Sequence, residues 1–231
     1  MLMTVRDLSK RYGGVMALAG VSFTVGRGET LGVVGASGSG KSTLARCVAG
    51  FDAPSAGEIE FAGDRLQAQL IFQQPASSLN PRFTAAEIVE EPLVIQRREK
   101  SRAAEALAMV GIGRDALGKR ADQFSGGESQ RLAIARALVV EPKLLILDES
   151  LNGLDPALCA QVCELLRELQ RRLELSYIVI SHDLDLVAGL ADNIAVMEAG
   201  RIVEMAPTQV LMTAPRHPHT RELIAATAAL R

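Results

Sequence analysis

Gly35-Ala36-Ser37-Gly38-Ser39-Gly40-Lys41-Ser42 reads G-x-x-x-x-G-K-S. Before it, Thr30-Leu31-Gly32-Val33-Val34 is short and apolar enough for a buried strand. After it, Thr43-Leu44-Ala45-Arg46-Cys47-Val48-Ala49 suits a helix. Strand, glycine-rich loop and helix in that order form a phosphate cradle. Glycines let the backbone curl so that successive N–H groups face phosphate oxygens. A helix beginning near Gly40 adds the positive end of its dipole. Lys41 is placed for the β- and γ-phosphates, the Ser42 hydroxyl for Mg²⁺, and Thr43 for the α-phosphate. The competing reading, a Gly/Ser turn before an ordinary helix, does not account for Lys-Ser in register.

A second strand-and-acid pattern follows about a hundred residues on. Lys143-Leu144-Leu145-Ile146-Leu147-Asp148-Glu149 is so apolar that both faces of a strand there must be covered. Two carboxylates close it, at the end where open parallel sheets bind ligands. Asp148 suits a water-mediated hold on Mg²⁺, and Glu149 suits a water poised at the γ-phosphate. Tyr177-Ile178-Val179-Ile180 reads as another buried strand, with His182 just past it, placed to contact the γ-phosphate. A lone histidine is more often structural; its place after the strand raises it.

Other segments arrange themselves around these. Leu2 to Asp7 and Val21 to Val25 read as strands, and Tyr12 lies between them in a Gly-rich loop. That ring is either a base-stacking platform or a cap on the core. Gly57 to Phe61 and Gln69 to Gln74 read as strands, the latter ended by Pro75, with Gln73 able to offer an amide oxygen to metal or water. Residues 83–121 carry helical periodicity and no strand signal. Ser125 is a natural N-cap, and Glu128 three residues on completes a capping box for a helix reaching about Val140. Gly126 and Gly127 leave N–H groups there for an anion. Pro156 fits the first turn of a helix to about Leu175. Asn193–Met197 and Arg201–Met205 read as a hairpin, and 207–231 as short helices broken at Pro215 and Pro218.

Composition limits the alternatives. The 231 residues are 48% hydrophobic and 23% charged, with net charge -2, so no basic field points to nucleic acid. No apolar run reaches the ~18 residues of a membrane span. The N-terminus lacks a signal-peptide layout, so a cytoplasmic chain is expected. Three cysteines make no disulfide framework. Cys159 and Cys163 share a helical face, as two buried thiols rather than a metal pair.

Taken together, these pieces resemble the ATP-binding subunit of an ABC transporter, over nearly the whole chain. Gly35 to Ser42 matches the Walker A motif and Leu144 to Glu149 matches Walker B with its glutamate. Ser125-Gly126-Gly127-Glu128 matches the family signature, Gln73 the Q-loop, Asp155 the D-loop, His182 the switch histidine, and Tyr12 the adenine-stacking aromatic. The resemblance implies an α/β P-loop NTPase of ABC type: a mostly parallel core sheet, an N-terminal antiparallel β subdomain and a helical insert. It implies one ATPase domain over 1–231, with core and β subdomain over roughly 1–82 and 122–231 and a helical subdomain over roughly 83–140. It further implies ATP and Mg²⁺, a second ATPase subunit (identical or not), permease subunits, an extracytoplasmic binding protein, and peripheral attachment at the cytoplasmic face of the inner membrane. Glu149, His182, Lys41 and Gln73 would be the catalytic set. Residues 35–43, Tyr12, 125–128 and Asp155 would hold nucleotide, and Ser42, Gln73 and Asp148 the metal.

Phe72-Gln73-Gln74-Pro75, Ser78-Leu79-Asn80-Pro81-Arg82 and Pro215 to Leu223 are similar to the peptide/nickel importer branch, which leaves peptides, nickel or metal chelates as cargo. Glu128 replaces the usual Gln, Ser150 and Asn152 depart from the commonest residues around the D-loop, and the 57–73 segment is short for the branch. A non-transport ABC ATPase (a repair, chromosome or translation factor) and a regulatory cassette are the rival readings. The short interval between the phosphate loop and the signature, without heptads, argues against the first. The intact Lys41, Asp148, Glu149 and His182 argue against the second.

Overall fold

The computed structural model describes residues 1–63, 67–73, 75–100 and 102–229. Gln74, in one of the branch-like stretches, lies outside them. The strands are β1 (Met3–Tyr12), β2 (Val15–Val25), β3 (Thr30–Val34), β4 (Ala56–Phe61), β5 (Ala68–Ile71), β6 (Leu144–Asp148), β7 (Ser176–Ile180), β8 (Asn193–Glu198) and β9 (Arg201–Pro207). The helices are α1 (Lys41–Ala49), α2 (Ala85–Ile95), α3 (Ala103–Met109), α4 (Gly126–Leu138), α5 (Pro156–Leu173), α6 (Leu184–Leu190), α7 (Thr208–Thr213) and α8 (Pro218–Ala228).

The central sheet has the order β5-β6-β7-β3-β8-β9. Its first five strands are parallel, and β9 turns back antiparallel to β8. β3, β6 and β7 are buried at every position, as their apolar runs require. Alternate side chains enter two different cores. Leu145, Leu147, Tyr177 and Val179 join α2 to α6 on one face. Leu144, Ile146, Ile178 and Ile180 face α1 and the separate antiparallel sheet β2-β1-β4 on the other. Tyr177 carries its hydroxyl into the first core, where it donates to Leu166 O at 2.8 Å.

Several sequence expectations change. The N-terminal hairpin is much longer than Leu2–Asp7 and Val21–Val25. Asp7 adopts φ 48° and the β1–β2 register shifts three times, so bulges interrupt the alternation that marks a strand. As a result Tyr12 does not sit in a loop between strands; it ends β1, paired with Val15. β5 stops at Ile71, and Pro75 opens a 3₁₀ turn over Pro75–Ser78 rather than closing the strand. Pro218 is no break, since it occupies the first turn of α8. Pro92 lies inside α2, which nonetheless continues to Ile95. α4 and α5 begin where the caps place them and end two residues before their expected limits.

One glycine sets a packing distance. A Cβ on Gly32, in the middle of β3, would lie 2.2 Å from Val187 Cγ1 and 3.0 Å from Ala191 Cβ. α6 therefore rests directly on the β3 backbone. Gly32→Ala overpacks this contact and should cost ~1–3 kcal/mol. Thermal melting should fall by about 2–4 °C for each kcal/mol lost. An unchanged midpoint would show that α6 does not sit so close.

Candidate functional site

Parallel strands end at one edge, and that edge gathers the chemistry. β3 runs into the 35–42 loop, β6 ends on Asp148 with Glu149 just beyond it, β7 is followed by Ser181 and His182, and β5 leads to the exposed Gln73. In the sheet order these lie side by side: Gln73, then the two acids, then His182, then the loop.

The loop needs its glycines. Gly35 (φ 152°) would place a Cβ 2.2 Å from Met197 O, and Gly40 (φ 104°) one 2.5 Å from Ala17 O. Gly40 also caps α1 in a left-handed conformation that frees the helix N-terminus from any side-chain cap. Lys41 is only 5% exposed. Its Nζ donates to Gly35 O at 2.8 Å and Ala36 O at 3.0 Å. Burial lowers its pKa, while the charges of Glu149 and Asp148 act in the opposite sense. Ser39 Oγ is buried in the same loop with no hydrogen-bond partner, and a buried hydroxyl without a partner is costly unless a ligand oxygen meets it.

Ser42 Oγ donates to Asp148 Oδ1 at 3.1 Å. A hydroxyl and a carboxylate side by side are hard oxygen donors of the kind Mg²⁺ takes. Burial raises the Asp148 pKa; the Ser42 hydrogen bond and Lys41 oppose the shift and Glu149 adds to it. This is a negative charge short of compensation, which fits a cation. Glu149 takes φ 51°, unusual for a side-chain-bearing residue, and its N–H donates to Ile180 O at 2.9 Å. The strand thus turns sharply at the acid and remains tied to β7.

Other expected residues lie outside this cluster. Ser125 caps α4: its N–H donates to Glu128 Oε2 at 2.8 Å and its hydroxyl accepts from Glu128 N at 3.3 Å. The exposed Glu128 carboxylate has its pKa lowered by these bonds. Gly126 and Gly127 follow in the first turn. Among the described residues, no hydrogen bond or ion pair joins 125–128 to the 35–43 stretch. Asp155 caps α5, accepting from Leu158 N at 3.0 Å. Tyr12, 44% exposed, donates its hydroxyl to Asp52 at 2.5 Å, and Arg46 of α1 reaches the same carboxylate at 3.0 Å. Lys10 Nζ stands 4.9 Å above the Tyr12 ring. No local pattern in the sequence marks Asp52, Arg46 or Lys10, because 40 residues separate Tyr12 from Asp52. Cys163 is buried and its thiol is pushed up to about 12, chiefly by burial. No group of three or more His, Cys, Asp or Glu suited to a metal occurs among the described residues.

The comparisons agree with this geometry. Residues 18–152 match the model of the ABC transporter family. The chain belongs to that family. It is similar to a putative peptide import ATP-binding protein of Brucella ovis, 42% identical over 97% of this chain and 78% of that protein. It is also similar to the dipeptide transport ATP-binding protein DppF of Escherichia coli, 43% identical over 92% of this chain and 69% of that protein. Among solved structures, cbiO1 from Clostridium perfringens, part of an ABC transporter complex, superimposes with a TM-score of 0.82 at 30% identity, over 100% of this chain and 95% of that one. The dimeric ATP-binding cassette MJ0796, solved with ADP and Pi, gives 0.76 at 27% identity, over 90% and 99% of the two chains. This ABC cassette is therefore an ATP-binding, ATP-hydrolysing chain with the expected mixed-sheet core and N-terminal antiparallel sheet. No helix among its described residues is long and apolar enough to cross a membrane.

The buried charge of this cassette gives a testable sign. The Asp148 pKa is raised in the fold, so its ionised form costs stability at neutral pH, and that cost vanishes as pH falls through the raised value. Asp148→Asn should raise the melting temperature of the nucleotide-free protein at pH 7, with a gain that shrinks on acidification. ATP hydrolysis should fall by about 10²-fold or more. A lower melting temperature at pH 7 would contradict the uncompensated charge.

Proposed function

We propose that this chain is the ATP-hydrolysing subunit of an importer of peptides. The observation that carries the reading is the cluster at one sheet edge: buried Lys41 in a glycine loop, Ser42 against Asp148, and Glu149 and His182 on the adjoining strand ends. Peptides, of the cargoes that the sequence leaves open, are what the names of the similar import proteins support.

In this reading Lys41 exchanges its two carbonyl partners for β- and γ-phosphate oxygens, and the N–H groups of 35–43 and the Ser39 hydroxyl line the phosphate chain. Tyr12 stacks on the base. Ser42 and Asp148, with Gln73, would hold Mg²⁺, which when bound would neutralise charge developing on the phosphates. Glu149 accepts a hydrogen bond from the attacking water, and His182 donates to the γ-phosphate. Ser125, Gly126, Gly127 and Glu128, with Asp155, serve the nucleotide of a second cassette packed head to tail. This explains why they stand apart from this chain's own loop. Residues roughly 83–140 act as a helical subdomain that moves against the core.

The permease contact falls beside Gln73. Phe72, 40% exposed, stands edge-on to Phe51, 61% exposed, with ring centroids 5.5 Å apart. Such an aromatic patch suits a protein partner. The cassette then works at the cytoplasmic face of the membrane, and an extracytoplasmic binding protein delivers cargo to the permease.

In the assembled complex, Glu149→Gln should retain ATP binding and lose hydrolysis by about 10²- to 10⁴-fold. Unchanged turnover would remove Glu149 from the role. Cells lacking the chain should lose uptake of a labelled dipeptide and regain it from a wild-type copy but not from Lys41→Ala. Uptake indifferent to the chain would refute peptide import and leave the ATP chemistry standing.

A further inference from the structure

Three side chains from two loops form a directed relay that ends on His182. Asp183 N–H donates to Ser181 Oγ at 2.9 Å. Ser181 is fully buried. With its oxygen accepting from Asp183, its hydroxyl hydrogen needs an acceptor, and Asn152 Oδ1 lies 2.6 Å away, a separation typical of O–H···O. This orients the Asn152 amide. Its Nδ2 then faces His182 Nδ1 at 3.0 Å. An amide NH₂ can only donate, so Nδ1 must accept and carries no hydrogen. The ring hydrogen of the neutral imidazole is left on Nε2. The imidazole itself is exposed, while Asn152 is half-buried behind it.

We propose that Asn152 is a positioning residue that fixes His182 as its Nε2–H tautomer, so that the outward nitrogen is a hydrogen-bond donor before any nucleotide arrives. The tautomer follows from the relay alone. Its use rests on the reading above in which His182 meets the γ-phosphate, since an oxyanion needs a donor and a bare nitrogen would repel it. Asn152 is one of the positions at which this chain departs from the commonest residues around the D-loop. A residue there that only accepts would reverse the ring.

The test uses the full chain with ¹⁵N-labelled histidine, free of nucleotide, at about pH 8.5, where an ordinary imidazole is neutral. Two-bond ¹⁵N–¹H correlations report which ring nitrogen bears the hydrogen, and the His182 signals are those lost in His182→Ala. Wild type should show a protonated Nε2 and a bare Nδ1. Asn152→Asp should move the hydrogen to Nδ1, and Asn152→Ala should give a mixture of the two tautomers. In the assembled complex, Asn152→Asp should lower kcat for ATP about tenfold or more with KM within about twofold. A wild-type ring protonated at Nδ1, or a tautomer unmoved in Asn152→Asp, overturns the proposal without needing any variant to hydrolyse ATP. If His182→Ala hydrolyses ATP normally, the γ-phosphate role falls instead and the relay stands.

Discussion

A lysine ammonium almost sealed from water lies at the carboxyl edge of the central sheet, and the loop around it takes its shape from the need to solvate that charge. Taking an ammonium out of water is expensive unless oxygens replace its hydration. Lys41 finds them in the carbonyls of Gly35 and Ala36. Those carbonyls can turn inward only because Gly35 and Gly40 adopt backbone angles and close approaches that no side chain would permit. Glu149 and Asp148 supply the long-range part of the balance. The result is a site whose cation is held by weak neutral partners, and a phosphate is a stronger partner than either.

The surrounding architecture makes that arrangement rigid. β3, β6 and β7 are apolar on both faces and filled from both sides by separate cores. The strand ends are therefore fixed relative to one another, and with them Ser42, Asp148, Glu149 and His182. α1 links the Lys41 loop to Tyr12. Its first residue is Lys41, and Arg46 near its end steadies Asp52, which holds the Tyr12 hydroxyl. Polar groups cluster where the sheet stops and almost nowhere within it, so the chemistry sits on the most over-determined part of the fold.

Much of this was readable in the sequence, and for identifiable reasons. Strands buried on both faces appear as uninterrupted apolar runs, and caps such as Ser125 with Glu128, or Asp155 with Pro156, are written in consecutive residues. The full length of the N-terminal hairpin is hidden in the sequence because bulges near Asp7 break the period of two. That length moves Tyr12 from a loop onto the end of a strand. Pro92 inside α2 runs against its own propensity and is held there by tertiary packing, which no local pattern reports. The resemblance named Asp148 and His182, but it could not reveal the Asn152–Ser181–His182 relay. Asn152 stands about thirty residues before the other two, and they meet only because β6 and β7 are neighbours whose following loops face each other.

The most direct test of the central claim, that the Lys41 loop exists to exchange its carbonyls for phosphate, is thermal unfolding of the whole chain with Mg²⁺ and AMP, ADP or ATP. A ligand bound only by the native state stabilises it by RT ln(1 + [L]/Kd) and so raises the midpoint. AMP should give a small shift, ADP and ATP a large one, and Lys41→Ala should lose the difference. Equal shifts for all three nucleotides, or a Lys41→Ala protein that still distinguishes them, would contradict the claim.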